Sequence, residues 1–324
     1  MVRRSGPAAF AALGLLALSA CVTAPLGPFM GRSELREEVL EPAKRFWTSS
    51  KVALLTLSGA ITNDSGFWPG QDSTVVQFKD QLKAAEKDPN VRAVVLRIDS
   101  PGGDVTASDI IYREIRQFRE KRKVPVYAAM MGVAASGAYY ISMAADKVYA
   151  QPTTVTGSIG VLAMLPKLEP LAKKIGVEVR VIKSGEVKDL GSMWRDFAPG
   201  EREILQEIID SLYGRFLGIV AEGRPNLAGE RIRELADGRI FTAQQAEALG
   251  LIDGVKHLDE VIDEAKKAAG LKDAKLVAYR KRFGYKGHIY AQGGSTGPQA
   301  SVEINVQDIL DEFLQPRFQY LWAP

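Results

Sequence analysis

The sequence predicts an α/β fold. Apolar β-rich runs alternate with amphipathic stretches from Lys51 to Ile182, and helical patterning takes over from Pro199. With 324 residues, 46% of them hydrophobic, the chain has ample apolar content for a large core.

The elements follow in order. Val52–Leu57 reads as a strand, and Thr74–Lys87 as a helix stopped near Asp88-Pro89-Asn90. Ala93–Ile98 is a second strand and Ala107–Lys121 a charged amphipathic helix. The apolar run Val124–Val133 forms a third strand, and Ser136–Ala145 the helix after it. Short strands are expected at Lys147–Ala150 and Ser158–Leu162, then a helix at Leu168–Ile175 and a strand at Val177–Ile182. Pro199 opens a long helix to Glu222, with apolar residues at Ile204, Leu205, Ile208, Leu212, Phe216 and Ile219. Core packing is the expected use of that stripe. Thr242 caps a helix ended by Gly250, and Leu258–Ala269 is a further helix.

The two ends differ from the middle. Arg3 and Arg4 precede the apolar run Ala8–Ala20, which ends in Leu18-Ser19-Ala20-Cys21. A basic start, a short apolar stretch and small residues before a cut make a secretory signal, too short to span a membrane comfortably. The tetrapeptide resembles a bacterial lipobox, and the resemblance implies Cys21 as the expected lipidation site. As the sole cysteine it has no intrachain disulfide partner. Residues 1–21 are thus expected to be a lipoprotein-type signal, 22–50 a membrane-proximal tether, 51–280 the catalytic domain and 281–324 a linker with a C-terminal docking segment. That last segment has a Gly/Ser-rich stretch, Gln292–Pro298, a helical pattern over Val306–Leu314 and an aromatic tail, Phe318, Tyr320, Leu321 and Trp322. The formal net charge of +3 is spread among mixed charges and gives no case for nucleic acid. No glycine-rich phosphate loop, metal-ligand spacing or nucleotide fingerprint occurs, so no cofactor and no metal are expected.

The chemistry concentrates in Ala134-Ala135-Ser136-Gly137-Ala138-Tyr139-Tyr140. A serine between small residues at a strand-to-helix turn exposes a hydroxyl and aims backbone N–H groups at the same spot. The alternative is a packed turn in which Ser136 only caps a helix. Ser100-Pro101-Gly102-Gly103 lets backbone amides approach a ligand closely, so the Gly103 and Gly137 N–H groups form a candidate oxyanion hole. The two histidines, His257 and His288, lie far downstream, and a Ser-His-Asp triad is poorly supplied. A lysine replaces histidine as general base when burial keeps its amine neutral, since a free lysine, with a pKa of about 10.4, is charged at neutral pH. Lys188, in the turn Ser184–Asp189, offers that group. Its neighbour Asp189 is expected to point away and tie down the loop. A surface lysine in a polar turn is the bland alternative.

These motifs occur in sequence order with Thr156-Gly157-Ser158-Ile159-Gly160, Asp237–Thr242 and Gly250-Leu251-Ile252-Asp253. Together they resemble the signal peptide peptidase A family, the S49 serine peptidases with a Ser/Lys dyad, in the short single-unit form. The resemblance implies a crotonase/ClpP-like superfold with repeated ββα units and a C-terminal helical segment. It implies Ser136 as nucleophile, Lys188 as base and Ser158 orienting the lysine. It also implies apolar, extended peptide substrates such as cleaved signal peptides, an extracytoplasmic envelope location on a membrane, and a ring-like homo-oligomer. Three rivals remain on the sequence: an envelope quality-control peptidase of the same fold, a lipoprotein scaffold with a decayed site, and a crotonase-type acyl-CoA enzyme. The last explains neither Lys188 nor the secretory signal.

Overall fold

The computed structural model describes residues 35–64, 72–280 and 317–322. The expected signal, Cys21, the Gln292–Pro298 linker, the Val306–Leu314 helix and His288 lie outside the described residues.

In chain order the elements begin with β1 (Arg36–Glu41), β2 (Lys51–Ser58), α1 (Thr74–Lys87), β3 (Val91–Ser100), β4 (Gly102–Asp104) and α2 (Val105–Arg122). Next come β5 (Val126–Ala135), α3 (Gly137–Ser142), β6 (Lys147–Ala150), β7 (Val155–Gly157), β8 (Leu162–Met164) and α4 (Glu169–Lys174). The chain then forms α5 (Glu201–Gly223), α6 (Gly229–Leu235), β9 (Ile240–Thr242), α7 (Ala243–Ala248), β10 (Gly254–Val255), α8 (Leu258–Ala268), β11 (Lys275–Arg280) and β12 (Arg317–Leu321).

The main sheet runs β1-β11-β2-β3-β5-β6-β10, with β7 and β9 branching from the end of β5. Its central strands β2, β3, β5 and β6 are parallel. Parallel strands are covered on both faces, which is why these segments read as unbroken apolar runs. Alternate residues divide between two cores. Ala53, Leu55, Val94 and Leu96 pack with Phe78 of α1 and Ile111 and Ile115 of α2. Val52, Leu54, Ala93 and Val95 pack with Leu258, Val261 and Ile262 of α8.

Local signals set the helix ends. Ser73 caps α1 by accepting from Val76 N, and Asp104 caps α2 by accepting from Ala107 N at 2.7 Å. Thr242 and Gln245 form a capping box at α7. Asp253 holds β6 to the segment before β10, accepting from Val148 N at 2.8 Å and from buried Arg224 at 2.8 Å. Arg224 and Asp253 thus form a structural ion pair.

Several expectations need correction. Arg36–Glu41, assigned to the tether, is an edge strand antiparallel to β11. The strand expected at Ser158–Leu162 does not form: Ser158–Val161 is irregular and only Leu162 is in a strand, the first residue of β8. Val177–Ile182 forms no strand. Its alternating residues Val177, Val179 and Val181 are exposed, because no strand among the described residues lies alongside, and an unpaired strand does not hold by itself. The stripe of α5 is only half packed: Phe216 and Ile219 are buried, whereas Ile204 and Ile208 are exposed. Among the described residues no helix is long and apolar enough to cross a membrane.

Candidate active site

The site forms where β3 and β5 end. β5 runs parallel to both β3 and β7, pairing Ser100 with Ala134 and Ala135 with Gly157. The register sets Ser136 and Ser158 side by side, one residue past the last ladder pair. Ser136 N–H donates to Gly157 O at 2.8 Å, and Ser158 N–H donates to Arg239 O at 2.8 Å. Both serines have left-handed backbones, φ 54° at Ser136 and φ 49° at Ser158. Such conformations are uncommon for residues with a Cβ and cluster at functional positions.

Ser136 does not serve as a helix cap. Its side chain accepts no amide hydrogen bond from α3, although its carbonyl accepts from Tyr140 N at 2.9 Å. The first turn of α3 is anchored from behind. Tyr139 OH donates to Leu251 O at 2.8 Å, and Tyr140 OH donates to Asp109. Burial pushes the Tyr139 hydroxyl up to about 12, so it stays neutral and acts as a strut.

The glycines bring a second strand against this turn. Ile61 N–H donates to Gly102 O at 2.9 Å and Asp104 N–H donates to Ile61 O at 2.8 Å, so β4 is pinned on one side. Gly102 has φ 97°. A Cβ there would lie 2.8 Å from the Gly137 amide nitrogen, a distance no real Cβ tolerates. Glycine is required at 102 because two backbones meet there. Gly103, one residue further along β4, and Gly137 thus border the same small space.

Four of the sequence-predicted site residues, Ser136, Ser158, Gly103 and Gly137, come together. Lys188 does not join them: no hydrogen bond links it to either serine. It lies exposed in the turn Ser184–Lys188, its N–H donating to Gly185 O at 3.2 Å. The turn is tied from the next residue. Asp189 accepts from Arg195 Nη2 at 2.7 Å and from Lys183 Nζ at 2.7 Å, and these contacts hold its carboxyl below the ordinary range. Arg195 also reaches the buried carboxylate of Glu201 at the start of α5. Asp189 therefore ties the loop, as its expected role required, and Arg195 is the centre of that anchor. His257 is occupied elsewhere, its Nδ1 2.8 Å from Gln151 Oε1 at the start of α8.

Sequence reasoning missed the strand β12. It lies between β4 and β8, antiparallel to both, and completes a three-stranded sheet next to the two glycines. The aromatic tail was visible as a docking segment, but its partner was not.

Comparison with known proteins gives consistent matches. The profile of peptidase family S49 covers residues 118–272, which include Ser136, Ser158 and Lys188. A Clp protease profile covers residues 69–156, which include Gly103 and Gly137. A protein from Enterococcus faecium named signal peptide peptidase SppA is 36% identical over 254 residues, 78% of this chain and 72% of that one. A protein from Synechocystis described as a protease is 42% identical over 229 residues, 71% of this chain and 78% of its own. The chloroplastic serine protease SPPA of Arabidopsis thaliana is 35% identical over 224 residues, 68% of this chain and 33% of the longer plant protein.

Proposed function

The chain belongs to peptidase family S49, and from that premise we propose a membrane-tethered serine endopeptidase in which Ser136 is the nucleophile and Lys188 the general base. Its fold is of the ClpP/crotonase-like α/β kind. The observation that carries the reading is the state of Ser136: a buried hydroxyl on a left-handed residue, capping no helix, next to the Gly137 amide.

In the proposed reaction the Ser136 hydroxyl attacks a peptide carbonyl carbon and its proton passes to the Lys188 amine. The Gly103 and Gly137 N–H groups hold the oxygen as it becomes negative. The same lysine hands the proton to the departing amine, and water then releases the acyl group from Ser136. Ser158 orients the lysine without adding charge. Apolar extended peptides, released signal peptides among them, are the proposed substrates.

The position of Lys188 in a single chain bears on assembly. The segment that carries it exposes Val177, Val179, Val181, Ile182 and Val187, and α5 exposes Ile204 and Ile208. Exposed apolar side chains in such number are what a subunit interface would cover. We propose a ring-like homo-oligomer in which Lys188 of one subunit completes the Ser136 site of the next. Co-refolding equal amounts of Ser136→Ala and Lys188→Ala subunits tests this. Each variant alone is expected to be inactive, and the mixture to recover about a quarter of wild-type activity in a randomly assembled ring. A dead mixture that has formed full rings rules the shared site out.

The tether proposed here is a lipid on Cys21, from the motif Leu18-Ser19-Ala20-Cys21. The intact mass of the membrane-extracted protein is expected to show acyl groups on a chain starting at Cys21. A mature chain starting elsewhere, without acyl mass, overturns it.

A further inference from the structure

The turn before β2 presents to solvent two aromatic side chains that the core does not use. Arg45–Thr48 is a β-turn closed by Thr48 N–H, which donates to Arg45 O at 3.0 Å. Phe46 and Trp47 are its two central residues, positions usually held by Gly, Pro, Asn, Asp or Ser. Phe46 is 90% exposed and Trp47 68%. Their rings meet edge to face with centroids 4.8 Å apart, so the pair forms one apolar tip.

The tip is held in place. A single carboxylate, Asp273, clamps the turn from the connection between α8 and β11. It accepts from Lys44 N–H at 3.1 Å, from Arg45 N–H at 2.8 Å and from Thr48 Oγ1 at 3.1 Å. These contacts, the Arg45 amide foremost, keep the carboxyl below the ordinary range. Lys275 N–H donates to Ser50 O at 2.9 Å and Lys51 N–H to Asn90 O at 2.8 Å, which ties the turn to the sheet.

The turn stands at the edge of the main sheet where the parallel strands begin, at Lys51, Val91 and Val126. Exposed cations collect along this edge: Lys44 and Arg45 in the turn, Lys87 at the end of α1, Lys123 after α2, and Lys272 beside the clamp. Three acids there are engaged, Asp88 with Lys51, Asp146 with Arg119, and Asp273 with the turn. Glu41 and Glu120 are the exposed acids, so positive charge is in excess. Ser136 lies at the opposite edge, one ten-residue strand away, or about 30 Å.

An aromatic tip flanked by lysine and arginine suits the headgroup layer of an anionic bilayer. The centre of a subunit interface is instead depleted of lysine. Cys21, the proposed lipid site, precedes Arg36 by about fifteen residues, a reach of at most about 50 Å. A leash of that reach keeps the domain near the bilayer without choosing the face that meets it.

We infer that the Arg45–Thr48 turn is an interfacial anchor: Phe46 and Trp47 enter the headgroup layer of an anionic bilayer, and the basic edge around them holds the catalytic domain with Ser136 facing away from the membrane. The inference deepens the membrane-tethered reading above and rests on it. Peptide substrate then reaches Ser136 from the aqueous side, already released from the bilayer.

The test uses the full-length protein labelled with fluorotryptophan, whose four tryptophans give separate fluorine resonances. Trp47→Phe and Trp322→Phe assign two of them. Trp322 reports the active-site edge, since its N–H donates to Pro101 O at 2.9 Å. The protein is bound to discs of phosphatidylglycerol and phosphatidylethanolamine, with and without a lipid spin-labelled near the top of its acyl chains. The spin label is expected to broaden the Trp47 resonance and to leave that of Trp322 sharp. Lys44→Glu with Arg45→Glu keeps the clamp, which uses only backbone amides there, and is expected to leave cleavage of a soluble peptide unchanged. Each lost cation weakens docking about fivefold, so the ratio of docked to undocked domain should fall at least about twenty-five-fold and the Trp47 resonance sharpen. A sharp Trp47 resonance in wild type, broadening of Trp322 in its place, or broadening that the charge reversal does not relieve overturns the inference. A Trp47 resonance that ignores lipid but shifts on dilution assigns the tip to a second copy of the chain, and overturns it too. Intact mass of the same sample separates the tether from the turn. Acyl mass at Cys21 with a sharp Trp47 resonance removes the turn alone. A broadened Trp47 resonance without acyl mass keeps the turn and removes the lipid.

Discussion

Ser136→Ala is expected to leave no more than about one part in a thousand of wild-type peptide cleavage, because a lost nucleophile is not replaced by the remaining groups. The fold should survive. The substitution removes one oxygen from a side chain that makes no cap bond, while the backbone bonds from Ser136 N–H to Gly157 O and from Tyr140 N–H to Ser136 O remain available. Purified variant and wild type should therefore match in circular dichroism and elution volume and differ in turnover. Residual cleavage well above that level, at matched oligomeric state, would remove Ser136 from the reaction.

Lys188→Arg is the second large effect. A base must be neutral to accept the serine proton, and a guanidinium stays charged in proteins, so arginine should abolish activity as completely as alanine does. The comparison is sharp because arginine keeps charge and length. A lysine that merely attracted substrate or held the loop would tolerate it. Lys183→Ala is the control: Lys183 binds Asp189 at 2.7 Å, but Arg195 grips the same carboxylate and keeps the loop tied. Steady-state assays of the three variants decide the matter. Activity in Lys188→Arg, or loss in Lys183→Ala only, assigns the base elsewhere.

The central strands and flanking helices were readable because their burial is two-sided. Val52–Leu57 and Ala93–Ile98 are apolar at nearly every position, and both faces are covered by helices. The glycine and small-residue turns were readable because close backbone approach leaves no room for a Cβ, as at Gly102. Other features left weaker marks. Val177–Ile182 has strand-like alternation but no partner edge among the described residues. Arg36–Glu41 is charged and looks like a linker, yet it pairs with β11 more than 200 residues later. The tail showed only its aromatics, since its partners β4 and β8 are short and remote in sequence. Nor does composition signal a left-handed serine: positive φ is normally written as glycine, and at 136 and 158 it is not.

That serine backbone has a consequence for the energetics of the whole domain. With φ 54° and ψ −115°, Ser136 holds a conformation that glycine adopts freely and that costs a residue with a Cβ about 1–3 kcal/mol. Folded domains hold only about 5–15 kcal/mol in total. The hydroxyl is thus retained at the expense of thermal margin, and the surrounding sheet and the struts of α3 must overcompensate for it. Selection for stability alone would favour glycine at this position, so the serine records a demand that folding does not make.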